Sequence, residues 1–143
     1  MNSKALNIFE TSWDQSSLEI NQIREKVFIE EQKVSRSIEM DGHDKDCHQF
    51  LATYKKLNIG TARLRKYGKI ERVSVIKEFR SLGIGSKIME IIINKARTLD
   101  TNEIYLHSQE DSIRFYENIG FKTVGNYFFE AEIKHIKMIY KQT

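Results

Sequence analysis

At 143 residues, with 40% hydrophobic and 30% charged side chains, the chain has enough apolar material for one buried core and too much for extensive disorder. Its formal net charge is +3, and the 23 Lys and Arg residues are scattered, which argues against a nucleic-acid binder and suits a polyanionic small molecule. The single cysteine, Cys47, excludes an internal disulfide, and no apolar run approaches ~18 residues, so a soluble cytoplasmic protein with one domain over residues 1–143 is expected.

Ala5–Phe9 reads as a short first strand. Ser16 or Ser17 can cap a helix in which Leu18, Ile20, Ile23, Val27 and Phe28 form a stripe to about Glu31. Residues 32–46 are polar and without a period, so a loop is expected there. Cys47–Tyr54 and Ile59–Arg65 are strand-like, and a hairpin turn over residues 55–58 is expected to join them. Residues 67–69 turn into a central strand that carries Glu71, Val73, Ser74 and Val75. Ile84, Ile88, Ile91, Ile92, Ala96 and Leu99 then recur at helical spacing, which predicts a long helix with one buried face. A short strand over residues 104–107, a helix over 111–118 ending at Gly120, and strands over 121–124 and 133–140 complete the chain. The fold class is therefore α/β (α+β), with one central mixed, mostly antiparallel, sheet of six to seven strands between helices.

The stretch that carries chemistry is Glu71–Lys87. Two glycines, Gly83 and Gly85, sit where a helix begins, so that unpaired N–H groups and the positive end of the helix dipole face outward together. That arrangement binds phosphate. The spacing fails the Walker A pattern, which needs four residues between its glycines, and fails the dinucleotide fingerprint, whose third glycine position is Ile88. What remains is Arg80-Ser81-Leu82-Gly83-Ile84-Gly85 behind a Val-Ser-Val strand. This Arg-x-x-Gly-x-Gly pattern resembles the acetyl-CoA signature of the GNAT superfamily of N-acetyltransferases, and Asp111–Phe121, with Phe115-Tyr116 and Gly120-Phe121, resembles a second segment of that family.

The resemblance implies a GNAT-like three-layer fold and acetyl-CoA as acyl donor. Residues 80–86, that is Arg80, Ser81, Leu82, Gly83, Ile84, Gly85 and Ser86, would hold the diphosphate through their N–H groups. Val73, Ser74 and Val75 would pair with the pantetheine arm as an added strand does, and a Val73 or Ser74 N–H would receive the developing oxyanion. Tyr116 takes the family's general-acid position beside the sulfur and also contacts the cofactor. Gln109 stands where the family often has asparagine at the cofactor.

Acetyl transfer to an amine needs a neutral nucleophile, and an alkyl amine of pKa ~10.4 is only about one part in two thousand unprotonated at pH 7, a handicap of roughly 4–5 kcal/mol. A base should help. Glu71 is the sequence candidate because strand parity puts it on the face of Val73 and Val75; the competing reading pairs it with Arg63 or Arg72.

In the front half, Arg24, Val27-Phe28, Glu31-Gln32, Glu39, Asp41, Asp44 and His48 resemble a bacterial GNAT-like branch without assigned acceptors. An acidic loop opposite the cofactor would attract a cationic acceptor, so Glu31, Asp41, Asp44 and His48 are candidate substrate-binding residues for a small-molecule or protein amine. Residues 43–48 hold metal-type donors, but strand alternation splits Cys47 from His48 and no second pair follows, so no metal is expected. His135 and Met138 match a family ending and read as structural, and Cys47 does not lie near the cofactor loop in sequence. No nucleic-acid or membrane partner is expected, and an exposed strand edge leaves room for a homodimer. A non-catalytic CoA-binding or sensing module and a nucleotide-binding interaction domain are the alternatives.

Overall fold

A computed structural model describes residues 2–141. Seven strands form one sheet in the order β1 (Leu6–Thr11), β2 (His48–Tyr54), β3 (Leu57–Leu64), β4 (Lys69–Val75), β5 (Tyr105–Gln109), β7 (Ile133–Tyr140), β6 (Phe121–Glu130), and every neighbouring pair is antiparallel except β4–β5. Four helices flank it: α1 (Trp13–Arg24), the one-turn α2 (Arg36–Glu39), α3 (Ile84–Ala96) and α4 (Ile113–Ile119). This is the mixed, mostly antiparallel sheet between helices that the sequence led us to expect.

Cross-strand neighbours define two faces. Gly60 of β3 lies against α3, where an added Cβ would stand 2.9 Å from Ile88 Cδ1, so helix and sheet meet closely only because that side chain is missing. Ile84, Ile88, Met89, Ile92, Ile93 and Ala96 of α3 are all buried against it. The opposite face carries Arg63 of β3 and receives α1 with the loop that follows it.

Several boundaries differ from the expectation, each for a local reason. Helix α1 begins at Trp13, because Ser12 rather than Ser16 or Ser17 caps it by accepting from the Gln15 N–H at 3.2 Å. Ser16 instead bonds Thr11 side chain to side chain at 2.6 Å and leaves helical geometry. After Arg24 the chain continues as a π-helix, Glu25–Glu31. The expected loop over 32–46 contains α2 and a single 3-10 turn, Asp44–Asp46, ordered by ion pairs and not by an apolar stripe. Strand β6 runs to Glu130, well past the expected Val124, through a break in pairing at Gly125 (φ +79°). Its hairpin turn to β7 uses Ala131 and Glu132, and the β2–β3 turn uses Lys55 and Lys56, all with positive φ. Such turns ordinarily announce themselves with Asn or Gly, and these do not.

One irregularity shapes the site. Between Thr61↔Ser74 and Arg63↔Glu71, β4 carries one residue more than β3, and Arg72 takes φ +59°. This bulge resets the alternation. Glu71 therefore faces Arg63, on the side of Ser74, and does not share a face with Val73 and Val75 as plain parity predicted.

Candidate active site

Strands β4 and β5 pair at only two positions, Lys69↔Tyr105 and Ile70↔Leu106. Beyond them, at the Arg72 bulge, they part. A cavity of about 480 Å³ occupies the opening, lined among others by Glu71, Arg72 and Val73 of β4, His107 and Gln109 of β5, Ser112 and Tyr116 around α4, Glu130 and His135 of the β6–β7 hairpin, and Phe28, Gln32 and Asp41 from the front half.

On the β5 side, no strand among the described residues pairs with Val73, Ser74 or Val75. That edge presents main-chain donors and acceptors in an extended register. Next in the chain, Ser81 (φ +64°) and Gly83 (φ +82°) turn the backbone into α3, which Gly83 caps without a side-chain bond. Among the described residues, no protein acceptor takes the N–H groups of Ile84, Gly85 and Ser86, so the first turn of a thirteen-residue helix presents free donors. The two glycines have different reasons. Gly83 supplies the left-handed turn, with open space where its Cβ would be. An added Cβ on Gly85 would meet Phe115 Cζ at 3.2 Å and Val75 Cγ2 at 4.0 Å, so Gly85 lets α4 pack on the start of α3. Arg80 is held by the Val75 carbonyl at 2.9 Å and by both carboxylate oxygens of Glu31 at 2.8 and 2.7 Å.

Tyr116 is buried, edge-on to Phe115 at 4.9 Å and to Phe121 at 5.9 Å between ring centroids. Its hydroxyl takes no protein partner among the described residues although the residue lines the cavity. Burial pushes the phenol well above its ordinary pKa, so it stays protonated as a donor.

The acidic residues have internal partners. Asp44 is buried and accepts from Arg24 at 2.6 Å and Arg63 at 2.9 Å; Glu39, also buried, accepts from Arg24 at 2.7 Å and Arg72 at 3.0 Å. Asp41 accepts from Arg63 at 2.6 Å. Burial alone would raise the Asp41 and Asp44 carboxyls, but their arginine partners outweigh it and hold both below the carboxylate range. Glu71 is the fourth acid of this network, with Arg63 at 2.9 Å, Lys69 at 3.1 Å and Arg65 at 3.2 Å. Burial raises it and the three cations more than reverse that, leaving it ionised below its usual value. Of the two arginines suggested for it, Arg63 is the partner; Arg72 turns to Glu39 and Asp41.

The candidate site residues thus divide. Glu71, Val73, Gln109, Tyr116 and Asp41 meet at the cavity, Gln109 donating to Gln32 at 2.8 Å. Ser74, Val75 and residues 80–86 form its continuation toward α3. Asp44 lies beneath the surface, Glu31 is on Arg80, and His48 faces Glu10 at 3.3 Å away from the cavity. Cys47 is buried, donates to the His43 carbonyl, and is absent from the cavity lining. The sequence reading gave no role to His107 or Glu130, although strand alternation puts His107 on the face of Gln109; it named Arg24 only within a family pattern and Arg63 only as a partner for Glu71.

Comparison with known proteins fixes the family. The model of the acetyltransferase (GNAT) domain matches residues 14–142. The chain belongs to the GNAT acetyltransferase family. It is 30% identical over 121 residues to YjcF of Bacillus subtilis (strain 168), named an uncharacterized N-acetyltransferase, covering 82% of this chain and 86% of that protein. An acyl-CoA N-acyltransferase from Pseudomonas aeruginosa has a TM-score of 0.82 at 27% identity, covering 95% of this chain and 99% of that one. A GNAT family acetyltransferase from Elizabethkingia anophelis, a structure with acetyl-CoA bound, shares the fold at a TM-score of 0.63 and 16% identity, covering 94% and 95%. This GNAT protein is an N-acetyltransferase. Among the described residues, no helix is long and apolar enough to cross a membrane.

Proposed function

We propose that this GNAT enzyme, acting as one domain, transfers the acetyl group of acetyl-CoA to an amine by direct attack in a ternary complex. The observation that carries the reading is the parting of β4 and β5: an unpaired strand edge leads from a helix N-terminus with free N–H groups to a cavity where a protonated phenol waits. The free N–H groups at Ile84, Gly85 and Ser86 suit a diphosphate, and the Val73–Val75 edge suits an extended amide chain. A Val73 or Ser74 N–H receives the negative charge that develops on the carbonyl oxygen. Tyr116 donates its hydroxyl proton to the departing sulfur. Phe28, Gln32 and Ile38 also line this cavity, and the acceptor enters from their side. With the acids of the front loop engaged by Arg24, Arg63 and Arg72, selection of the acceptor rests on the shape and hydrogen bonding of the cavity more than on a negative field.

Tyr116→Phe tests the reading. It keeps the ring packing and removes the donor, so kcat falls on the order of 10²-fold while acetyl-CoA still shifts the unfolding temperature as in the wild type. Unchanged kcat with retained binding would refute the assignment of Tyr116 and favour a sensing module. Stabilisation by ATP exceeding that by acetyl-CoA would refute the donor.

A further inference from the structure

The amine must lose a proton, and Glu71 is badly placed to take it: three cations hold its carboxylate, and the bulge turns it toward Arg63. The register offers another group. The last paired positions of β4 and β5 are Ile70↔Leu106, so the next residues, Glu71 and His107, flank the point where the strands separate. Lys69 and Tyr105 are cross-strand neighbours, and His107 lies two residues on from Tyr105, so its imidazole is on the face that carries Glu71. It lines the cavity.

Its chemistry is set from the far side. His107 Nδ1 is 2.7 Å from Glu130 Oε1. A carboxylate can only accept there, so Nδ1 carries the proton and Nε2 is left with the lone pair. Among the described residues, Nε2 has no protein partner, and it is not an enclosed orphan, a description that fits only Gln49 Oε1. Phe128 packs edge-on against the ring at 4.9 Å and Tyr105 tilts against it at 6.0 Å, fixing its plane. The dyad joins residues from two strands, separated by β7, across the cavity mouth.

We infer that His107, oriented by Glu130, is the proton acceptor for the attacking amine. The inference rests on the acetyl-transfer reading and names the base within it. As the amine nitrogen bonds to the acetyl carbon and the carbon–sulfur bond breaks, the N–H proton passes to His107 Nε2, and Tyr116 gives its hydroxyl proton to sulfur. The resulting imidazolium is paired with Glu130 and returns its proton to solvent, while Tyr116 regains one from solvent, so that amine and thioester become amide and thiol with no proton gained or lost. Glu130 is a positioning residue: it touches neither reactant and sets which nitrogen is free. Lys69 and Glu71 of β4, Tyr105 of β5, and His135 and Lys137 of β7 are the other titratable groups around the ring.

The test is the pH dependence of kcat/KM, followed by CoA thiol release with the best amine of a panel, in wild type, His107→Asn, Glu130→Gln and His135→Asn. Asparagine at 107 preserves a donor to Glu130 and has no basic nitrogen. We expect it to lose on the order of 10²-fold in kcat/KM, the usual worth of a positioned base, and to lose the acidic limb of the wild-type profile. Glu130→Gln should lose less and move that limb to lower pH, because the imidazolium is then unpaired. Acetyl-CoA binding and unfolding temperature should match wild type in both. A limb that persists in His107→Asn, or that vanishes instead in His135→Asn, overturns the inference. If wild type neither binds acetyl-CoA nor releases thiol, the underlying reading has failed. The dyad is still decided without turnover by imidazole 15N shifts, since a His107 with Nε2 protonated and Nδ1 bare at pH 7.5 contradicts it.

Discussion

Replacing Asp44 by asparagine separates two roles for the front loop. As an attractor for a cationic acceptor, Asp44 would matter to KM; as the centre of a buried ion network, it matters to stability. Its Oδ1 accepts from Arg24 at 2.6 Å, from Arg63 at 2.9 Å and from Gln49 at 3.3 Å, and the two guanidiniums are 1% and 0% exposed. Removing one partner from such a pair strongly destabilises because a desolvated charge is left behind, typically by about 3–5 kcal/mol. Here Arg24 keeps Glu39, and Arg63 keeps Asp41 and Glu71, so the low end applies, about 3 kcal/mol. For a domain of this size that is a fall of about 10 °C in unfolding temperature. The pH dependence has a definite sign. A carboxyl held below its unfolded pKa of ~3.9 contributes stability that is complete above that pH and lost as pH falls through the folded value. The gap between wild type and Asp44→Asn should therefore be constant from about pH 8 to 5 and close below about pH 4. It should also resist salt, since the pair is buried. Circular dichroism melts across pH and salt, with KM for amines of different charge, make the measurement. A loss under about 1 kcal/mol, together with a KM that rises only for cationic amines, would refute the network argument and restore the attractor.

Three further outcomes are expected. Gly83→Ala meets no steric neighbour but must hold φ +82°, which costs on the order of 1–2 kcal/mol and loosens the loop, so acetyl-CoA binding by calorimetry should weaken; unchanged affinity would remove Gly83 from the phosphate site. Glu31→Gln removes the negative charge from Arg80 and leaves the guanidinium beside the loop, so at low salt acetyl-CoA affinity should rise by about 2–5-fold, the size of an exposed charge pair; a fall would make Glu31 a positioning residue. Ile88→Ala empties a fully buried site for about 3 kcal/mol, and because Ile88 Cδ1 occupies the space a Gly60 side chain would need, Gly60→Ala should harm the wild type more than the Ile88→Ala variant; additive melts would deny that contact.

The stripe on α3, the glycine loop and the number of strands were legible because neighbours a few residues apart dictate them: helical spacing places Ile84, Ile88 and Ile92 on one side, and a left-handed turn at Gly83 needs glycine where it stands. The family pattern in residues 80–85 and 115–121 follows the same local rule. The sequence could not show the bulge at Arg72, a positive φ on a residue that gives no local sign of it, and so parity put Glu71 on the wrong face. Nor could it pair the charges. Arg24 and Glu39 stand 15 residues apart, Arg63 and Asp44 19, and His107 and Glu130 23, and only closure of the sheet brings them within hydrogen-bond reach. Composition and periodicity determine which residues must be buried. Which acid meets which base depends on long-range register, and here that register decided that the front loop's acids lie on arginines and that a histidine stands at the fork of the strands.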